Sequence, residues 1–357
     1  MLKSFRYLLF PFSLVYGGVI VLRNFLFDKK IFKSFEFNFP VICVGNIATG
    51  GTGKSPMTEY LIALLSKNYK VATLSRGYKR KTKGYAIATE TTTALDIGDE
   101  PMQFYQKYKN EITVAVGEER LVAIPQILQD APTTEVIILD DGFQHRKVKA
   151  GLNIVLSDYN NLYTRDFMLP TGDLRDVKKS MSRADIIVIT KCPASIDVLE
   201  KNKVLQELKA MANQQVFFTE IIYANPHHLF TKEKINLHEN AEVILIVGIA
   251  NPTPLKAYLS KTVRQYEMLR YADHHIFTIS DLKEIKQQFE KNKHSDRIIL
   301  TTEKDAVRLE KFGSELADLP IYVMPIKQQF LFNEGNKFNE VVSGFIEKFS
   351  KKKKFNS

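Results

Sequence analysis

The segment from Gly45 to Pro56, GNIATGGTGKSP, carries the residues best suited to chemistry. Gly50, Gly51 and Gly53 permit a tight backbone whose N–H groups converge on phosphate oxygens, at the positive end of the helix that follows. Lys54 stands where an ammonium bridges the β- and γ-phosphates, and Ser55 where a hydroxyl ligates Mg2+. The spacing G-x-x-x-x-G-K-[ST] is complete except at Ala48, which occupies the first glycine position; Thr49 and Thr52 fill out the loop. Pro56 fits a first helical turn, where its missing N–H costs nothing. Further along, Val136 to Leu139 run apolar into Asp140 and Asp141, as in a buried strand that hands a carboxylate to a metal. The two strings together indicate a nucleoside triphosphate and Mg2+ as cofactors.

The later strands narrow the chemistry. A GTPase reads its base with [NT]-K-x-D, yet Thr190-Lys191-Cys192-Pro193 has proline where the carboxylate belongs, and in TTEKD Lys304 and Asp305 are adjacent. Fifty Lys and Arg against 40 Asp and Glu give a net charge of +10, which favours anionic partners. No nucleic-acid-binding module is recognisable, so no nucleic-acid partner is expected. A small-molecule kinase with a lipidic acceptor is the favoured class. Cys43 and Cys192, without a CxxC pair, exclude a disulfide framework and a cysteine zinc site, and fit a reducing compartment.

These residues need a scaffold. At 357 residues and 45% apolar content the chain is long enough for two cores. Short Val/Ile/Leu runs at 40–45, 70–75, 135–141, 152–158 and 184–191 alternate with helical patterns such as 57–67, which predicts a parallel sheet covered on both faces. The expected fold class is α/β: a P-loop NTPase-type parallel-sheet domain over 33–214 and a second, smaller α/β domain over 215–357. The run QVFFTEIIY at 215–223 reads as an extended connector. EVILIVG at 242–248, RIILTTEKDAVRLEKF at 297–312 and IYVMPI at 321–326 supply the second domain, and a C-terminal helix with the lysines 351–354 as a solvated tail ends it.

Residues 1–32 differ from the rest. From Tyr7 to Leu22 there is no charge, but Pro11, Gly17 and Gly18 interrupt a run already shorter than the about 20 apolar residues of a spanning helix. No small-residue cleavage site precedes Ala48, which argues against a secretory signal. The pattern predicts a monotopic membrane-associating helix whose Phe, Leu and Val enter the acyl boundary while Lys3, Arg6, Arg23, Lys29 and Lys30 meet headgroups. A buried core helix is the alternative.

With SRGYKRK at 75–81, GDEP at 98–101, LDDGFQHRKV at 139–148, LPTGDLRD at 169–176, GIANP at 248–252, DHHIF at 273–277 and TTEKDAV at 301–307, the chain resembles the tetraacyldisaccharide 4'-kinase family of lipid A biosynthesis. The strings occur in family order across almost the whole length. The resemblance implies an ATP- and Mg2+-dependent kinase acting on the 4'-hydroxyl of an acylated glucosamine disaccharide 1-phosphate. It implies a peripheral protein, expected to be a monomer, at the cytoplasmic face of the inner membrane. A P-loop kinase for another membrane-associated small molecule is the alternative.

The resemblance also assigns roles. Ser55 and Asp140 would hold Mg2+, and Lys54 with Arg120 would neutralise the transferred phosphoryl group. Asp141, Gln144, His145, Arg175 and Asp176 would shape the nucleotide pocket, with Asp176 one methylene shorter than the family's frequent Glu. The basic, aromatic cluster Arg76, Tyr78, Lys79 and Arg80, together with Glu100, suits the acceptor. A catalytic Asp and His fall at Asp99 and His274, one from each domain. The residues themselves leave structural alternatives: a helix cap for Asp99, a surface loop for His274 and for 76–80, a surface helix for Arg120, and a strand-end cap for Gln144 and His145.

Overall fold

The computed structural model describes residues 6–291 and 296–355, so Lys3 lies outside the described residues. The strands are β1 (Val41–Asn46), β2 (Val71–Ser75), β3 (Thr113–Val116), β4 (Val136–Asp140), β5 (Leu152–Asp158), β6 (Ile186–Thr190), β7 (Gln215–Tyr223), β8 (Glu242–Val247), β9 (Gln265–Arg270), β10 (Arg297–Thr302), β11 (Ile321–Met324) and β12 (Ile326–Phe330), besides several two-residue pieces. The principal helices are α1 (Phe10–Asp28), α2 (Lys54–Leu65), α3 (Asp99–Tyr108), α4 (Arg120–Asp130), α5 (Val198–Leu208), α6 (Thr253–Thr262), α7 (Ile279–Glu290), α8 (Glu303–Leu309) and α9 (Gly335–Phe355).

Among the described residues a nine-stranded sheet runs in the order β12-β7-β6-β5-β1-β4-β2-β3, followed by the short strand Ala86–Ile87. It is parallel from β7 to β3, with β12 and Ala86–Ile87 antiparallel at its two edges. The alternation of side chains along each strand divides the core in two. Cys43, Leu139 and Ile187 face α4 and α5, where Ile124, Ile127 and Val204 are buried. Ile42, Ile138 and Val188 face α2 and α9, where Leu61, Ile62, Phe338 and Val342 are buried. Continuous apolar runs form strands here because both faces need apolar cover. β1, which precedes the glycine-rich loop, sits between β5 and β4, so the loop opens at the carboxyl end of the central strands, where α/β sheets bind ligands. The five-stranded sheet runs His227–His228, β11, β10, β8, β9.

The division expected after residue 214 falls elsewhere. Residues 215–223 are a full strand of the large sheet: Val216 pairs with Ile187, and Ile221 pairs antiparallel with Gln328. Phe217 and Phe218 explain why, since consecutive phenylalanines that are both buried point to opposite faces and need a sheet interior. The run IYVMPI splits at Pro325 between the two sheets, and α9 returns to cover the first core. The small sheet is therefore an insertion whose ends meet, with Ala224 N–H donating to Pro325 O at 3.0 Å. The run Lys351–Lys354, read as a tail, continues α9.

Helix α1 inverts the usual amphipathic pattern of a surface helix. Its outward face carries Phe12, Leu14, Val15, Val19 and Leu22, each about 60% exposed or more (64, 62, 69, 60 and 59%). Its inward face is polar: Ser13 Oγ donates to Thr171 Oγ1 (2.7 Å), Tyr16 OH to Arg175 O (3.1 Å), and Asn24 Nδ2 to Asp176 Oδ1 (2.8 Å). This excludes the buried-core-helix alternative. It also corrects two headgroup assignments, because Arg6 pairs with Asp173 (2.9 Å) and Arg23 donates to Gln144 O (2.9 Å). Both turn toward the protein.

Candidate active site

The loop between β1 and α2 is held from three sides. Asn46 Nδ2 donates to Thr52 Oγ1 (2.7 Å), Thr190 Oγ1 donates to Thr52 O (2.8 Å), and Thr49 N–H donates to Asp173 O (2.7 Å). Ala48 bridges to Leu174. Gly53 closes the loop at φ +87°, a left-handed conformation that a side chain would strain, and α2 starts at the next residue. Lys54 and Ser55 thus sit on the first turn of a helix whose free N–H groups face the strand ends.

Opposite them β4 delivers Asp140 and Asp141. Asp141, at φ +55°, receives the Arg175 guanidinium and lies 3.9 Å from Lys54 Nζ. Asp140 is 2% exposed and accepts from Thr58 Oγ1 (3.1 Å). Burial, and then the neighbouring charges of Glu100 and Asp141, push its pKa up to about 7. Ser55 Oγ donates to Glu100 Oε1 at 2.8 Å. Hard oxygen donors with excess negative charge fit Mg2+. Mg2+ commonly keeps several waters and takes phosphate oxygens beside one or two protein ligands.

Arg120 is not a surface residue. It opens α4 at 2% exposure and donates to Gly117 O (2.5 Å), while its Nε and Nη2 have no partner. A buried guanidinium with unused donors beside a phosphate loop is equipped for an anion. His145 has its pKa pushed down to about 4, by burial and then by the Arg120 charge, so its ring is neutral at neutral pH. Gln144 Nε2 donates to Asn46 O (2.6 Å), tying the loop after β4 to the end of β1 in keeping with the cap reading.

Three assignments are corrected by the geometry. Asp176 does not face the nucleotide loop: it is buried, accepts from Asn24, from Ser180 Oγ (2.7 Å) and from Arg183 (3.0 Å), and docks α1. Arg80 folds back over Gly77 to pair with Glu118 (2.6 Å), leaving Tyr78 and Arg76 exposed. Glu100 lies on Ser55 and Lys304 and so belongs to the phosphate side rather than to the 76–80 cluster. Asp176→Ala is expected to lower stability by about 2–4 kcal/mol, since it strands Arg183 and Asn24. Denaturant midpoints check this. A raised KM for ATP at unchanged stability would restore Asp176 to the nucleotide pocket.

Asp99 is placed by Gly98, whose φ of +93° and close approach to Tyr78 O leave no room for a side chain. Asp99 opens α3 without capping it, which removes the cap alternative. Its Oδ2 lies 2.7 Å from His274 Nδ1 and accepts from Arg308 Nη2 at 2.6 Å. Arg308 Nη2 also lies 3.1 Å from His274 Nδ1, so carboxylate, imidazole and guanidinium form one cluster. Burial alone would raise the Asp99 pKa, but the bonds from His274 and Arg308 outweigh it and hold the carboxyl at about 2. His274 is no free surface residue: it adopts φ +62° and packs edge-on against Tyr78, with centroids 5.7 Å apart. Sequence reasoning does not single out Arg308 or the Lys304–Glu100 pair within the run TTEKDAVRLEKF. An acidic first turn followed by a basic residue three positions on was the available signal.

The sequence model of the family described as tetraacyldisaccharide-1-P 4'-kinase matches residues 5–347. A tetraacyldisaccharide 4'-kinase of Flavobacterium johnsoniae is 46% identical, covering 93% of this chain and 94% of its own length. One of Phocaeicola vulgatus is 44% identical, covering 97% of each chain. The crystal structure of LpxK from Aquifex aeolicus in complex with ATP matches with a TM-score of 0.74 at 27% identity, over 97% of this chain and 100% of that one. The glycine-rich loop, the carboxylates at the end of β4 and the Asp99–His274 pair thus stand in a chain that belongs to the tetraacyldisaccharide-1-P 4'-kinase family.

Proposed function

We propose that the chain transfers the γ-phosphoryl group of ATP to the 4'-hydroxyl of an acylated glucosamine disaccharide 1-phosphate at a membrane surface. The observation that supports this best is that consecutive residues face the two halves of the reaction. Glu100 accepts from Ser55 on the phosphate side, and Asp99 meets His274 on the other. Phosphoryl transfer depends on positioning and charge neutralisation, and Lys54 and the unpartnered donors of Arg120 supply cations at the transferred group. Mg2+, when bound, would be held by Ser55 and Asp140 and would neutralise phosphate charge. Asp99 stays anionic and accepts the hydrogen bond of the acceptor hydroxyl. Its low basicity suits a loose transition state, in which that proton leaves late. Incubating the purified protein with ATP and the acylated disaccharide 1-phosphate tests the proposal. The expected product carries a second phosphate at the 4' position by 31P NMR, and ATP consumption without that product overturns the substrate assignment.

The exposed apolar face of α1 supports a monotopic contact with a membrane surface, which we assign to the cytoplasmic face, with the protein a monomer, on the family's place in lipid A biosynthesis. Val15→Glu combined with Leu22→Glu places charges where chains would enter lipid and leaves the polar inner face intact. The pair is expected to move protein from the membrane pellet to the supernatant and to raise the KM for lipid at least about 5-fold, with the KM for ATP unchanged. Unchanged partitioning removes α1 as the anchor.

A further inference from the structure

Helix α8 of the small sheet carries two buried charges that the phosphate loop does not use. Asp305 is fully buried and Arg308 is 7% exposed. Asp305 is fixed by the N–H of Gly248 (3.0 Å) and by Thr302 Oγ1 (2.7 Å), and it accepts from Arg308 Nη1 at 3.1 Å. The other terminal nitrogen of Arg308 reaches Asp99. Gly248, whose N–H holds Asp305, also accepts the backbone N–H of His274 through its carbonyl at 3.1 Å. Both groups that grip Asp99 from the second sheet therefore hang from one anchor at the end of β8. Both act on Oδ2, and among the described residues Oδ1 takes no hydrogen bond.

We propose that Arg308 and Asp305 are positioning residues that fix the Asp99 carboxylate in one rotamer, so that its free oxygen meets the acceptor hydroxyl only while the small sheet is docked. A guanidinium is suited to this because it is a planar fork: one nitrogen stays on Asp305 while another holds Asp99. A lysine cannot span both carboxylates. The plain alternative is that the Arg308 bridges only glue the two sheets together, which would affect stability without passing through Asp99. The inference rests on the proposed role of Asp99 in the transfer.

The test is a double-mutant cycle on the full-length protein, reading kcat and both KM values with saturating ATP and lipid acceptor, and thermal midpoints alongside. Arg308→Met is expected to lower kcat roughly 10- to 100-fold with both KM values within about 3-fold, the cost of a misplaced group rather than of lost binding. Arg308→Lys should fall between the two. In an Asp99→Asn background, Arg308→Met should change kcat by less than about 3-fold, because there is no longer a carboxylate to orient. If Arg308→Met does not fold, Asp305→Asn takes its place in the same cycle, since Asn can still accept from Gly248. Equal effects of the Arg308 change in both backgrounds, or a normal kcat in Arg308→Met, overturn the proposal. A normal kcat in Asp99→Asn alone overturns instead the role given to Asp99.

Discussion

Lys54→Ala is expected to lower kcat by about 10³-fold or more while the melting temperature stays close to that of the parent protein. The rate effect follows from position. Lys54 opens α2 beneath the strand ends, and no other lysine is on that helix turn to replace its charge at the transferred phosphoryl group. The small stability effect follows from its partners, since its ion pair with Asp141 is a long contact of 3.9 Å, and Asp141 keeps Arg175 in its absence. Steady-state kinetics at saturating ATP and acceptor, with a thermal melt of the same preparation, check both halves. A variant with near-normal kcat would show that the glycine-rich loop is not where the phosphates bind.

Asp99→Asn is the second large effect, expected to reduce kcat by about 10²- to 10⁴-fold. Asparagine keeps the shape and can still accept from His274 and Arg308, but it cannot take a proton from the acceptor. Stability should fall by no more than about 1–2 kcal/mol, because Arg308 retains Asp305 as its counter-charge. The KM for ATP should hardly change, since Glu100 and not Asp99 is the residue that meets Ser55. Wild-type kcat in this variant would remove Asp99 from the chemistry and leave the Asp99–Arg308 bridge as a purely structural contact.

The donor side of the site was legible in the sequence because a short string dictates it. Gly53, Lys54 and Ser55 fix a local turn and helix start, and the apolar run into Asp140 fixes a buried strand with its carboxylate at the end. What sequence could not supply is the direction a side chain takes in a loop. Asp176 and Arg80 have the chemistry of a ligand site, yet the structure turns Asp176 toward the polar face of α1 and Arg80 toward Glu118. Glu100, grouped with the acceptor residues in the sequence, meets Ser55 and Lys304 instead, because the first turn of a helix sends consecutive side chains in different directions. Arg308 stayed hidden for a related reason: it stands 209 positions from Asp99, and no local pattern reveals a contact at that range. The course of β7 does not show in the sequence because a strand buried only at Phe217, Phe218 and Thr219 has the composition of an extended connector until a partner such as β12 is known.

The order in which the sheet is completed bears on how the protein can be made. The strand that pairs with β7 at the edge of the large sheet, and the helix that covers Phe217, Leu61 and Ile62, come from the last thirty or so residues of the described chain. During synthesis the nucleotide-binding half therefore emerges first but keeps one face of its core open until residues 326–355 have been made, while the inserted small sheet is already complete. An unfinished apolar face is the kind of surface that aggregates or recruits chaperones. Premature stops after residue 324, which spare every residue of the catalytic pocket, should still abolish accumulation of folded protein.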